Sequence, residues 1–467
     1  MITTDRGPLT VALVHAGAAV VAALRGAGHT VLEPDPSAYA DTTAADVLVI
    51  GNPHPGQPMP RGEDLLALTS LPYRWIAGSD VCHVVSLGST SVMDGYADGW
   101  HWDEDWAPRP SSAALPDWFF ETVAREVLRA APGLTGVALR ADRPWAQPTD
   151  DMIAAVLEAV QPPPALRVMT IDDALWRPRH ILADPLPSSA EEPAWPTVTP
   201  VRQVPRPRRI TLYGAGPLGV ATAEAIMAAG IELVWVDLRS LEEIAAAPPQ
   251  APGAPVPGPI AAPHRAAICD VTDADQVLEA ARGSDCLINV TVLRHQLDGG
   301  MQVNLQGGMN VVTAAIELGL QRIVHTGPTR LISGFPWGYS EATGVGDASP
   351  SRPGADPYSL SKHLAAEYVR TLAAEHGLMA PILEFCQLVH PDYVDVQPSP
   401  LQQAINPYTI SWRDAGEAVL AAALVSDLPE PAPVIQILAP HPAGRYLGDS
   451  AERLLGWRPQ DRFLPVV

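Results

Sequence analysis

The sequence predicts an α/β protein built as two doubly wound parallel-sheet domains in tandem. Three observations lead there. Short apolar runs alternate with helical patterns in both halves, a Pro-rich stretch divides the halves, and three motifs of the first half recur in order in the second.

In the first half "TVALVHAG" leads into the helical pattern "AAVVAALRGAG", then "HTVLEPD" and "DVLVIGN". In the second, "RRITLYGAG" leads into "PLGVATAEAIMAAG" and "IELVWVD". The runs "AAICD", "DCLINVTV", "QRIVHTG" and "MAPILEFCQLV" follow, interleaved with the helix-like "DADQVLEAARG", "GGMNVVTAAIELG" and "LSKHLAAEYVRTLAAEHG". Short apolar runs bounded by turn residues, each followed by a helix, are the pattern of a parallel sheet covered on both faces. Domain boundaries follow at 1–176 and 208–467, with 177–207 as a Pro-rich linker, because repeated prolines exclude a helix or a central strand. A second Pro-rich insert, Pro248–Pro263, reads as a surface loop.

The recurrence is ordered. "HVVSLGSTSVMDGY" aligns with "RIVHTGPTRLISGF", placing Gly88 over Gly327 and Thr90 over Thr329. "PDWFFETVAREVLR" aligns with "PYSLSKHLAAEYVR", and "GLTGVALR" with "GLMAPILEF". The chain reads as a tandem duplication of one α/β unit.

Composition narrows the function classes. A net charge of −22 disfavours nonspecific binding to nucleic acid or to an anionic membrane, and there is no basic run to track phosphates. No apolar run is long enough to span a bilayer, and the N-terminus lacks a signal-peptide layout. The four cysteines lack zinc-ligand spacing and lie in or beside strand-like runs, which fits reduced thiols and a cytoplasmic protein. Lys362 is the only lysine among 30 basic residues.

The chemistry-bearing residues concentrate in the second half. Gly214, Gly216 and Gly219 sit between a strand and a helix, where a pyrophosphate can approach backbone amides. Asp237 ends the next strand, where a carboxylate accepts hydrogen bonds from ribose hydroxyls and repels a 2′-phosphate. This favours NAD, although Arg239 could hold a 2′-phosphate, so NADP stays open. Asp270 could accept from an adenine amino group or cap a helix. Tyr358 and Lys362 lie one helical turn apart on one face. An ammonium there favours the phenolate and lowers its pKa toward the working range, and a broad guanidinium would not substitute.

With these residues in place, the second half resembles the extended short-chain dehydrogenase/reductase superfamily, the NAD-dependent epimerase/dehydratase family. The matching pieces are the glycine turn, Asp237, "DVTD", "VNLQGGMNVV", "RIVHTGPT", "YSLSK" and "AERLLGWRP". The resemblance covers residues 208–467 well and 8–176 weakly. It implies Rossmann-like domains, the second with a small C-terminal substrate-binding subdomain. It also implies a Thr329–Tyr358–Lys362 triad: Tyr358 as general acid/base, Lys362 tuning it and binding ribose, and the Thr329 hydroxyl on the reacting oxygen, with Thr326 the alternative. Asn304 would hold the site's geometry, and Val271 and Thr291 would line the cofactor. Trp337, Tyr339, His390, Tyr393 and Asn406 are candidates for the substrate pocket or for packing. One departure is Glu384-Phe385, where the family often has Arg-Pro, so side chains for a substrate diphosphate are not evident.

In the first half Asp117 stands over Tyr358 and Glu121 over Lys362, and the glycine turn is reduced to "HAGAAVV". An acid pair cannot replace a phenol tuned by an ammonium, so redox chemistry is not expected there. The loop Asp98–Trp106, with His101, Asp103 and Glu104, reads as a solvated loop or domain contact in preference to a metal site, and no metal is expected. Because family members dimerise through the Tyr/Lys helix, the two halves are expected to form an intramolecular pseudo-dimer. The sequence thus points to an NAD(P)-dependent oxidoreductase, epimerase or dehydratase acting on a small polar or specialised-metabolite substrate. The competing readings are a non-redox lyase or cyclase, and a non-catalytic dinucleotide-binding regulator.

Overall fold

A computed structural model describes residues 7–35, 45–96, 108–131, 133–161, 176–181, 199–329, 334, 345–346, 349, 351–391, 409–439, 446–447 and 449–461. The chain divides into two compact units, Met1–Thr197 and Val198–Val467.

The first unit is one parallel sheet of strands β1 (Thr10–Val14), β2 (Thr30–Leu32), β3 (Val47–Gly51), β4 (His83–Ser89), β5 (Thr135–Ala141) and β6 (Trp176–Ile181), in the order β2-β1-β3-β4-β5-β6. Every residue of β3 is buried and β4 nearly so, as expected of strands covered on both faces. Helices Ala18–Gly26 and Asp150–Ala159 cover one face, where Val20, Leu24, Ala155 and Val156 join the apolar cluster of β1 and β3. Helices Gly62–Gly78 and Leu115–Ala130 pack against each other.

The sequence reading places a linker over 177–207, and both of its ends turn out otherwise. Residues 177–181 belong to β6, which pairs with β5 alone. Pro178 is tolerated there because an edge strand can spare one backbone donor. At the other end Val201 bridges Leu428, and Val204 is buried with Met379 and Leu428. The buried Arg322 guanidinium donates to the carbonyls of Val204, Pro205 and Val425, so this segment is fastened to the second unit.

The second unit has a seven-stranded parallel sheet. Its strands are β7 (Arg209–Tyr213), β8 (Glu232–Asp237), β9 (Arg265–Ile268), β10 (Cys286–Asn289), β11 (Ile323–Pro328), β13 (Ile382–Phe385) and β16 (Val434–Gln436), in the order β16-β13-β11-β10-β7-β8-β9. Two small parallel pairs flank it, β12 (Val345–Gly346) with β17 (Tyr446–Leu447) and β14 (Gln387–Val389) with β15 (Thr409–Ser411). The chain reverses its direction of progress between β7 and β10, so the carboxyl ends of those strands open a crevice, the usual ligand position in such a sheet. The insert Pro248–Pro263 has no regular structure and brings Gln250 to that crevice. No helix of the described residues is long and apolar enough to cross a membrane.

One helix pair fixes the floor of the crevice. Helix Pro217–Ala228 packs so closely on helix Trp412–Leu424 that a Cβ at Gly416 would lie 2.5 Å from the backbone of Ala221. Gly416→Val is expected to cost about 1–3 kcal/mol through overpacking, read as a lower urea midpoint. An unchanged midpoint would mean that this contact is loose.

Candidate active site

The site grows from the turn after β7. Gly214 has φ +108°, and a Cβ at Gly219 would meet the Gly214 carbonyl oxygen at 2.1 Å, so neither position admits a side chain. The Trp235 indole and the Val236 carbonyl both bond the backbone of Gly214 and hold the turn to β8. Gly216 begins helix Pro217–Ala228, whose first turn carries no acidic residue, and its amide end faces the crevice.

The crevice is a cleft of ≈ 440 Å³. Gly214, Gly216, Gly219, Asp237, Asp270, Val271, Thr291, Tyr358 and Lys362 all line it, so the structure brings these sequence-predicted residues together. The carboxylate of Asp237 accepts from the Ala215 amide at 2.7 Å and from the Arg239 amide at 3.2 Å. Each oxygen keeps a further acceptor site, so Asp237 both pins the turn and can receive a hydroxyl. Asp270 accepts from the amide and the hydroxyl of Thr272, and Asp273 caps the following helix. Asp270 therefore organises its own loop while also facing the cleft.

Tyr358 and Lys362 lie in the first turns of helix Pro357–His376, which begins at an Asp356 cap. Tyr358 is half-buried, and Lys362 is only 2 % exposed. The Lys362 Nζ donates to the carbonyls of Thr291 at 2.8 Å and Thr326 at 3.1 Å, which leaves one ammonium proton for a ligand. Burial, with the nearby Arg294 guanidinium second, lowers the amine from its ordinary 10.5 to about 7. Beneath it, burial holds the His325 imidazole well below the histidine range, and Lys362 adds to that.

The threonine placement is uneven. Thr329 is buried just past β11 and is absent from the cleft lining, whereas Thr326 lines it with its hydroxyl donating to the Asn289 carbonyl. His390 is half-buried and lies outside the cleft lining. Trp337, Tyr339, Tyr393, Asn406 and the loop 98–106 fall outside the described residues.

Two features were missed from the sequence. Arg294, in the loop after β10, lines the cleft with its Cζ 5.3 Å from the centre of the Tyr358 ring. Ser361 joins Asn304, whose side chain also bonds both the amide and the carbonyl of Leu293. Asn304 lies in a π-helical turn, Met301–Gln306, just before helix Gly307–Glu317. Arg294 carries no motif, so only the fold could place it.

In the first unit the residues that the sequence alignment sets against Tyr358 and Lys362 are Asp117 and Glu121. Asp117 accepts from the Asn52 amide nitrogen at 2.6 Å and the Ser91 hydroxyl at 3.1 Å, and burial raises its carboxyl pKa. Glu121 forms a buried two-point ion pair with Arg140, at 2.6 and 2.9 Å. Both residues are nearly inaccessible, so this pair is structural.

The comparisons with known proteins bear on the second unit. Residues 210–410 match the model of the NAD dependent epimerase/dehydratase family, a span from β7 to β15 that includes the glycine turn, Asn304, Tyr358 and Lys362. No curated protein matches the sequence. Among solved structures, a glucuronic acid dehydrogenase from Chromohalobacter salexigens is 20% identical with a TM-score of 0.44, covering 55% of this chain and 85% of that one. A uronate dehydrogenase from Agrobacterium tumefaciens is 20% identical with a TM-score of 0.42, covering 54% and 85%. A dTDP-glucose 4,6-dehydratase from Streptomyces venezuelae, solved with NAD, is 18% identical with a TM-score of 0.40, covering 55% and 93%.

Two tests follow from the buried charges. In the unfolded chain Lys362 titrates near 10.5 and in the fold at about 7. Between those values the unfolded state binds the extra proton, so stability rises with pH across that window. Lys362→Met is expected to flatten the rise in urea midpoint, and an unaltered slope would refute the depressed amine. In the first unit, Arg140→Met strands Glu121 in the interior and should cost about 3–5 kcal/mol. Glu121→Met with Arg140→Met should recover most of that loss, and a double variant as unstable as the single would contradict the pairing.

Proposed function

We propose that the second unit is an NAD-dependent dehydrogenase, epimerase or dehydratase acting on a small polar or specialised-metabolite substrate, and that the first unit performs no redox chemistry. One observation carries this reading. The chain's only lysine is buried against two carbonyls beside a cleft-facing tyrosine, in the same cleft as a glycine turn closed to side chains.

The residues fit a dinucleotide. The cradle at Gly214 and Gly219 leaves backbone amides open to a pyrophosphate, and Asp237 stands where a ribose diol would reach it. The remaining Lys362 proton suits the second ribose. When bound, the nicotinamide supplies the acceptor or donor of a hydride. Tyr358 holds the other half of the reaction, taking a proton from a substrate hydroxyl or returning one to a carbonyl. Lys362 fixes the electrostatics of that transfer, because an ammonium beside a phenol stabilises its anion. Thr326 or Thr329 would bind the reacting oxygen. Thr326 is the better placed, since it lines the cleft, although its hydroxyl proton is committed to Asn289.

The test uses the full chain. NAD binding is measured by calorimetry, and turnover by NADH absorbance with a panel of sugars, sugar acids and nucleotide sugars. Tyr358→Phe is expected to retain NAD affinity while turnover falls about 10²–10⁴-fold. Full turnover in Tyr358→Phe would remove the mechanism. NAD binding without turnover of any panel member by the wild type would favour a dinucleotide-binding regulator.

A further inference from the structure

Charge is distributed unevenly along the cleft. Asp237, Arg239 and Asp270 lie at the ends of β8 and β9. At the other end, the lining among the described residues, from β10, β11, β13 and the chain just after them and from helix Pro357–His376, contains Arg294 and Lys362 and no carboxylate. The remaining walls there are largely apolar: Val292, Leu293, Phe385, Leu388 and Trp412. Apolar walls lower the local dielectric and strengthen any charge interaction inside.

Arg294 is placed by construction. Both backbone polar groups of Leu293 are bonded to the Asn304 side chain, which is tied in turn to Ser361 on the Tyr358 helix. The backbone leading into Arg294 is therefore held beside that helix, and the guanidinium lies 5.3 Å from the centre of the Tyr358 ring. Arg294 is exposed to the cleft, and among the described residues it forms no ion pair. An ammonium already lies nearby, so a second cation costs repulsion unless something anionic enters between them. A guanidinium presents paired donors that match a carboxylate.

From this geometry we propose that Arg294 is an anion-binding subsite at the reacting end of the cleft, and that the substrate is a hydroxy acid or its oxo form with the carboxylate close to the reacting carbon. The inference rests on the reading that Tyr358 marks the reacting end. With a net charge of −22 the protein as a whole disfavours an acid, and a local cation offsets that inside the cleft.

Lys362 is the natural reporter. Protein labelled with ¹³C at the lysine Cε gives one side-chain signal, because there is one lysine. The charged and titratable groups around it are the Arg294 guanidinium on its loop, the buried imidazole of His325 on β11 and the Tyr358 phenol on its own helix, with Glu384 on β13 beside Gly327. The signal is titrated with pH in NAD-loaded protein, alone and with glucuronate, malate or lactate, each paired with its neutral analogue glucose, butanetriol or propanediol. At least one acid should raise the Lys362 midpoint while its neutral analogue leaves it in place. Arg294→Gln should raise the midpoint without any ligand and weaken that acid at least tenfold, with NAD affinity unchanged. Arg294→Lys should restore part of the acid's affinity.

Acids that leave the signal unmoved, or that act equally on Arg294→Gln, overturn the subsite. A loss of NAD affinity in Arg294→Gln also overturns it, by assigning the guanidinium to the cofactor. If NAD fails to perturb the signal while an acid moves it through Arg294, the subsite stands and the proposed dehydrogenase reading falls.

Discussion

The Lys362 ammonium lies between the carbonyls of Thr291 and Thr326, and much of the second unit serves to hold it there. A buried cation is tolerated only when fixed acceptors replace its water. Those acceptors come from the ends of two neighbouring strands, β10 and β11, so the amine spans the sheet where its crevice opens. The helix that carries it must approach closely. Gly308 makes this possible, since a Cβ there would crowd both Ala365 and His325 at 3.2 Å. The Asn304 side chain ties the same helix at Ser361.

The sequence alignment of the two halves sets an acid in the first unit against this amine. Aligned through Gly88 and Gly327, Arg140 and Glu384 occupy equivalent places, each paired in register with its glycine. Glu121 and Lys362 are equivalent by the same alignment. The signs are thus exchanged: an acid on the helix and a base on the strand in the first unit, a base on the helix and an acid on the strand in the second. In the first unit the two close into an ion pair, and the charge is neutralised inside the protein. In the second, Lys362 bonds neutral carbonyls instead, so its charge remains available to a ligand. On that alignment one helix position is closed in an ion pair and the other is bonded to carbonyls at the lining of a cleft.

How much of this was legible in the sequence depended on the range of the interaction. The strand–glycine–helix turn, Asp237 and the Tyr358–Lys362 spacing are local patterns, and the cleft gathers all of them. Alternating apolar runs likewise set the two parallel sheets. The linker boundary failed at Trp176–Ile181, because prolines argue against a strand except at an edge, and edge position is not a local property. Arg294 was invisible for a similar reason. Its role depends on a contact between the loop after β10 and a helix more than sixty residues later, and one arginine among many gives no signal. Thr326 and Thr329 are nearly equivalent in sequence, and only the path of the chain after β11 separates them.

The π-helical turn at Met301–Gln306 links these long-range contacts. A regular α-helix would advance its side chains evenly and keep its polar groups on the ladder, whereas a π-turn widens the coil locally and re-aims a residue. Asn304 sits in that widened turn with its side chain fully buried and every polar atom bonded. Through Leu293 it fixes the loop of Arg294, and through Ser361 it fixes the helix of Tyr358 and Lys362. One amide side chain therefore ties the loop that carries Arg294 to the helix that carries Tyr358 and Lys362. Among the described residues that end of the cleft is lined by Arg294 and Lys362 and by no carboxylate, and it is on this balance of charge that the proposed acid subsite rests.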